Sequence, residues 1–128
     1  MKTTELRIGN FISRNDLGDD SERIEIIIEL GKMALTTGPI NVMCEYDEIK
    51  PIPLTEEWLV KFGWGKGEFD SEYIDNVSLK QEVLVYNVNA KMLCIETNRD
   101  IMEISHILYV HQLQNLFFAL TGEELTIK

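Results

Sequence analysis

The hydrophobic positions along this chain change their period more than once. In RIEIIIEL, Ile24, Ile26, Ile28 and Leu30 fall on one side of an extended segment, and Glu25, Ile27 and Glu29 fall on the other. That alternation predicts a half-buried strand of an antiparallel sheet, with the three alternate isoleucines and Leu30 as its apolar face. Ahead of it, ELRIGNFIS predicts a first strand with a bend or bulge at Gly9-Asn10, and SRNDLGDDSE predicts a polar loop. Behind it, Gly31-Lys32 predicts a tight turn into MALTT, and TTGPIN a further break. Short strands divided by turns, from residue 5 to about 52, predict a bent antiparallel sheet or a small SH3-like barrel.

A helical period begins at PIPLTEEWLVKFGW. Thr55 is placed to cap a short helix, Glu56 and Glu57 fall in the first turn, and Gly63 marks the stop. Leu54 can contact Leu59 across the cap, while Trp58, Leu59 and Phe62 share an apolar stripe with Lys61 outward. GWGKGEFDSEYIDN then predicts a loop or a weak edge strand. The stretch SLKQEVLVYNVNAKMLCIETNRDIMEISHI predicts a three-strand antiparallel meander centred on residues 83–85, 93–95 and 102–104, with turns near 87–90 and 98–100.

The last helical pattern, YVHQLQNLFFALTGEEL, carries two unlike faces. Tyr109, Val110, Leu113, Leu116, Phe117 and Leu120 form the expected core stripe. His111, Gln112, Asn115 and Phe118 lie opposite, with Gln114 on the boundary. Phe118 admits two readings: it packs beneath the N-terminal strands, or it joins a polar-aromatic recognition surface. Gly122 ends the helix, and EELTIK can add a short strand to a sheet edge. Together these elements predict an α+β fold in a single domain, residues 1–128, with a β-rich half over 1–52 and a helix-meander-helix half over 53–128.

Composition narrows the chemistry. Twenty-two acidic against 12 basic side chains give a formal net charge of −10 and a pI near 4.6, which argues against broad nucleic-acid binding because phosphate contacts depend on Lys and Arg. Cys44 and Cys94 sit apart in apolar company with no C-x-x-C, and are expected to pack as small core residues in a reducing compartment. MKTTELRIGN lacks an apolar signal segment, and no run approaches the ~18 apolar residues of a membrane span. The expectation is a cytoplasmic protein without membrane association.

Catalytic and metal motifs are weak. GWGKG follows a helix instead of leading into one and lacks phosphate-loop spacing, so it reads as a helix stop plus a turn. Asp16, Asp19, Asp20 and Glu22 could attract a hard cation, but their order is not that of a calcium loop and a solvated acidic turn is the simpler reading. His106 and His111 are five apart, off the helical zinc spacing, and there is no G-x-S-x-G. No enzyme activity, cofactor or metal is expected.

Three blocks carry a resemblance. ELRIGNFI, PIPLTEEWLVKFGW and YVHQLQNLFFALTGEELTIK, about a third of the chain, resemble a family of short uncharacterised proteins from Bacteroidales bacteria, their phages and their mobile elements. The resemblance implies an accessory protein that acts on a host component, including host defence, by binding rather than by catalysis. On that reading the binding surface centres on His111, Gln114, Asn115 and Phe118 of the last helix and on the aromatic loop with Trp64, Phe69 and Tyr73. The partner is a host protein or a second copy of the chain. A different class of function is a binder of a nucleotide-like small molecule, in which Trp64 or Phe118 stacks on the base and Arg7, Lys66 or His111 meets the phosphates. A third is an acidic mimic of nucleic acid.

Overall fold

The computed structural model describes residues 5–14, 23–39, 41–66, 73–75, 84–96 and 101–127. The fold is α+β, and the chain divides into two compact units: Met1–Pro53 with Tyr109–Glu124, and Leu54–Leu108 with Leu125–Lys128.

The first unit is a curled antiparallel sheet joined by the long helix. Its strands are β1 (Phe11–Arg14), β2 (Arg23–Leu30), β3 (Ala34–Gly38), β4 (Val42–Glu45) and β5 (Ile49–Lys50), in the order β4-β3-β2-β1-β5. A single 3-10 turn, Tyr46–Glu48, links β4 to β5. The Gly31-Lys32 turn is present: the Gly31 N–H donates to Ala34 O at 2.8 Å, and a Cβ on Gly31 would stand only 2.7 Å from that same oxygen. Glycine is therefore required by space. The predicted bend at Gly9-Asn10 is also present, with Gly9 at φ +96° and its N–H donating to Ile27 O.

The orientation of β2 reverses the expectation. Ile27 is fully buried and Glu25 nearly so, whereas Ile24, Ile26 and Ile28 are 44%, 38% and 43% exposed. Cross-strand pairing shows how. Ile12 faces Glu25, Ile27 faces Thr37 and Leu35 faces Cys44, so one continuous inner face holds Ile12, Glu25, Ile27, Leu35, Thr37 and Cys44. A register shift between Ile27 and Glu29 inserts one residue, which turns Leu30 inward after Ile27 and leaves Ile28 and Glu29 outside. The inner face also holds Arg14, 1% exposed, whose Nη1 donates to Thr37 Oγ1 at 2.8 Å. Alternation identified the strand; the buried Arg14 and Thr37 that accommodate Glu25 determined which side faces in.

The second unit contains α1 (Glu56–Lys61) and a sheet in the order β10-β9-β8-β7-β6, from β6 (Gly65–Lys66), β7 (Tyr73–Asp75), β8 (Leu84–Asn87), β9 (Met92–Glu96) and β10 (Ile101–Ile104). The last three form the predicted meander, and the expected weak edge strand is the pair β6 and β7. The turn expected near 98–100 and the acidic loop with Asp16, Asp19, Asp20 and Glu22 lie outside the described residues. Thr55 Oγ1 caps α1 by accepting from the Trp58 N–H, and Trp58, Leu59 and Phe62 are buried as their spacing predicts. Both cysteines are buried and unbridged.

The long helix, α2 (Val110–Thr121), starts where the Val110 N–H donates to Ile52 O at 2.8 Å and ends at Gly122, φ +74°. Val110, Leu113 and Phe117 are buried as expected. His111 and Gln114 are buried too, and Leu120 is half exposed, so the inward arc is displaced toward the polar side. Phe118 does not pack beneath the strands; it is 41% exposed. Residues 124–127 form no strand.

Candidate functional site

The polar side of α2 is occupied by the chain's own residues 5–11. The cause is local. The bend at Gly9-Asn10 takes this segment off the regular ladder, and β5 pairs with β1 only at Ser13 and Arg14. That leaves backbone groups at Gly9 and Phe11 in need of partners. The Gln114 carboxamide supplies both: its Oε1 accepts from the Phe11 N–H at 2.8 Å, and its Nε2 donates to Gly9 O at 3.0 Å. One side chain thus replaces a strand at the open edge of β1.

Asn115 fixes the rest. Its Nδ2 donates to Glu5 O, and its Oδ1 accepts from Arg7 Nε at 3.1 Å and from Asn10 Nδ2 at 2.8 Å. Asn10 Oδ1 in turn accepts from the Arg7 N–H at 2.7 Å, which closes the turn. The Arg7 guanidinium makes a two-pronged pair with the Glu124 carboxylate and lies over the Phe118 ring, 4.5 Å from its centroid. Leu6 from the same segment is buried in the core with Ile12, Ile27, Leu35, Cys44 and Ile49.

His111 is fully buried. Its Nε2 stands 3.3 Å from Glu5 Oε2, its ring is stacked on Tyr109 with centroids 6.0 Å apart, and Nδ1 has no hydrogen-bond partner among the described residues. The bond to Glu5 assigns the proton to Nε2 and leaves Nδ1 as an unprotonated lone pair. Burial holds the imidazole below its ordinary pKa, with the Glu5 carboxylate partly opposing.

The structure therefore brings Arg7, His111, Gln114, Asn115 and Phe118 into one cluster and adds Glu5, Asn10 and Glu124, which sequence reading did not single out. All of them belong to the first unit. Trp64 is buried, 2% exposed, in the second unit. The side chains of Lys66 and Tyr73, and the whole of Phe69, lie outside the described residues. Arg7 already covers one face of the Phe118 ring, and phosphates reaching Arg7 or His111 would compete with Glu124 or Glu5.

A second surface includes Ile24, Ile26 and Ile28, which the alternation of RIEIIIEL puts on the apolar face of β2. On the outward side of the first sheet, Ile24, Ile26 and Ile28 stand in a row along β2, and Met43, 67% exposed, follows across Thr36 on β4. Among the described residues this is a run of apolar side chains with solvent on it.

Comparisons with protein families, with curated proteins and with solved structures find no match to this chain. No helix among the described residues is long and apolar enough to cross a membrane.

Proposed function

We propose that the protein is a non-enzymatic binding module that acts on another protein through the outward face of its N-terminal sheet. The observation that carries this reading is the exposed row Ile24, Ile26 and Ile28 with Met43 nearby. Ile24, Ile26 and Ile28 are each about two-fifths exposed, so covering the rest of each would gain about 0.6–1.2 kcal/mol, and three such side chains on one strand favour an occupant. The polar groups of α2 support the same conclusion from the other side. His111, Gln114 and Asn115 are committed to residues 5–11, which makes them structural fasteners. In the setting that the sequence resemblance implies, the module is an accessory protein of a phage or mobile element, and the partner is a host component, including a component of host defence.

Photo-crosslinking residues placed at Ile26 and at Met43 test this. In host-cell extract both positions should yield the same protein adduct, and the same reagent at exposed Val60 in the second unit should not. The purified adduct partner should then bind the Ile26→Asp variant at least about tenfold more weakly. Different adducts from the two positions, or the same adduct from Val60, would overturn the assignment.

A further inference from the structure

The apolar face has an acidic end. Pairing sets Glu29 opposite Thr36, Thr36 opposite Met43 and Ala34 opposite Glu45, so Glu29 and Glu45 share the outward side with the isoleucine row and lie toward the turn at 31–33. Just past Glu45, the 3-10 turn adds Asp47 and Glu48, and the carboxylate oxygens of Glu45, Asp47 and Glu48 lie within 4.8 Å of one another. A body seated on Ile24, Ile26, Ile28 and Met43 would strip water from this end. Glu48 already accepts from the Glu45 N–H at 2.9 Å in a capping box at this turn, but backbone donors leave the negative charge in place, and cations on the occupant would offset its loss of water. A second copy would bring another such cluster and a net charge of −10 to a chain that already carries −10. Where two such ends met within the roughly 8 Å screening length at physiological salt, that repulsion would persist.

We infer that the occupant of this face is a protein with an apolar centre flanked on one side by clustered lysine or arginine, and that it is not a second copy of the chain. The inference rests on the reading of the isoleucine face as a docking surface. Its test uses the full chain with 13C-labelled isoleucine δ1-methyl groups. The probes are two synthetic peptides of equal length and apolar content, one rich in Lys and Arg and the other in Asp and Glu.

The basic peptide should shift the Ile24, Ile26 and Ile28 methyl signals while buried Ile12 and Ile27 hold their positions. It should bind at least about tenfold more tightly than the acidic peptide, and the Glu29→Lys/Glu45→Lys variant should remove most of that difference. If both peptides shift the three methyls with equal affinity, the docking face stands and the basic partner is wrong. If neither peptide moves them, the docking reading itself fails. Shifts of these methyls with protein concentration, before any peptide is added, would assign the face to a second copy and overturn the inference.

Discussion

Replacing Gln114 by methionine keeps the length and most of the volume of the side chain but removes its two hydrogen bonds, and so isolates what the carboxamide does. In the native protein Gln114 is 1% exposed, and its partners are the Phe11 N–H and the Gly9 carbonyl. A net hydrogen bond is worth about 1 kcal/mol, and a buried group left without a partner costs about 1–3 kcal/mol. The bond to Phe11 is buried and the one to Gly9 is partly so, which sets the expected loss at about 2–4 kcal/mol.

Amide hydrogen exchange reads this loss at the affected group. With each 1.4 kcal/mol worth a factor of ten, protection of the Phe11 N–H should fall by about 30- to 1000-fold. The Gly9 N–H, which donates to Ile27 O on the other side of the strand, should lose far less. Unchanged protection at Phe11 would show that Gln114 does not cap the strand edge. An equal fall at both amides would show that the substitution loosens the whole unit, and the edge-capping account would fail.

Two further predictions follow from buried polar groups. Burial disfavours the charged imidazole of His111, and protonation would place an N–H at Nδ1 where no acceptor stands among the described residues, so the folded pKa lies below the unfolded value of about 6.5. Stability is then at its full value above about pH 6.5, falls as pH drops through that value by up to about 1.4 kcal/mol per unit, and levels off below the folded pKa. Denaturation curves between pH 5 and 8 should show this slope in the native chain and not in His111→Gln, and parallel curves would refute it. Arg14→Met should destabilise by about 3 kcal/mol or more, because Glu25 and Thr37 stay on the inner face without the guanidinium. Arg14→Met/Glu25→Met should recover much of that loss in urea denaturation, and a double variant no better than the single would contradict a charge-based cost.

The elements of the fold were legible because each is written locally. Thr55 before Glu56 and Glu57, Gly63 after Lys61, and Gly122 after a helical run are caps and stops whose chemistry acts over a few residues. The meander likewise follows from short β-rich runs separated by turns. The inner side of β2 was not legible. The period-2 pattern of RIEIIIEL is satisfied with either face inward, and hydrophobicity alone favours the side with more isoleucine. What decides the matter is nonlocal: Arg14 from β1 and Thr37 from β3 make a polar site that Glu25 can enter, and the bulge after Ile27 lets Leu30 join the core. The same reversal leaves Ile24, Ile26 and Ile28 partly in water, so the proposed docking surface was hidden by the rule that located the strand.

The cluster around α2 shows a different limit. Periodicity separated His111, Asn115 and Phe118 from the apolar stripe, and the structure keeps them on a face apart from Leu113 and Phe117 in chemistry, though His111 is as buried as either. An amide on a helix offers the same donor and acceptor to a ligand, a partner or a stretch of backbone. Its neighbours in sequence cannot distinguish these, because its actual partners here are more than a hundred residues away. Half of the answer was nevertheless present at the other end of the chain. The Gly9-Asn10 bend necessarily leaves backbone groups outside the ladder, and buried backbone groups must be paired. Gln114 and Asn115 are a donor and acceptor surplus on a buried helix; residues 5–11 are the matching deficit. Only the close approach of the two segments turns that complementarity into a fastener, and it leaves Arg7 held between Glu124 and the exposed ring of Phe118 at the surface.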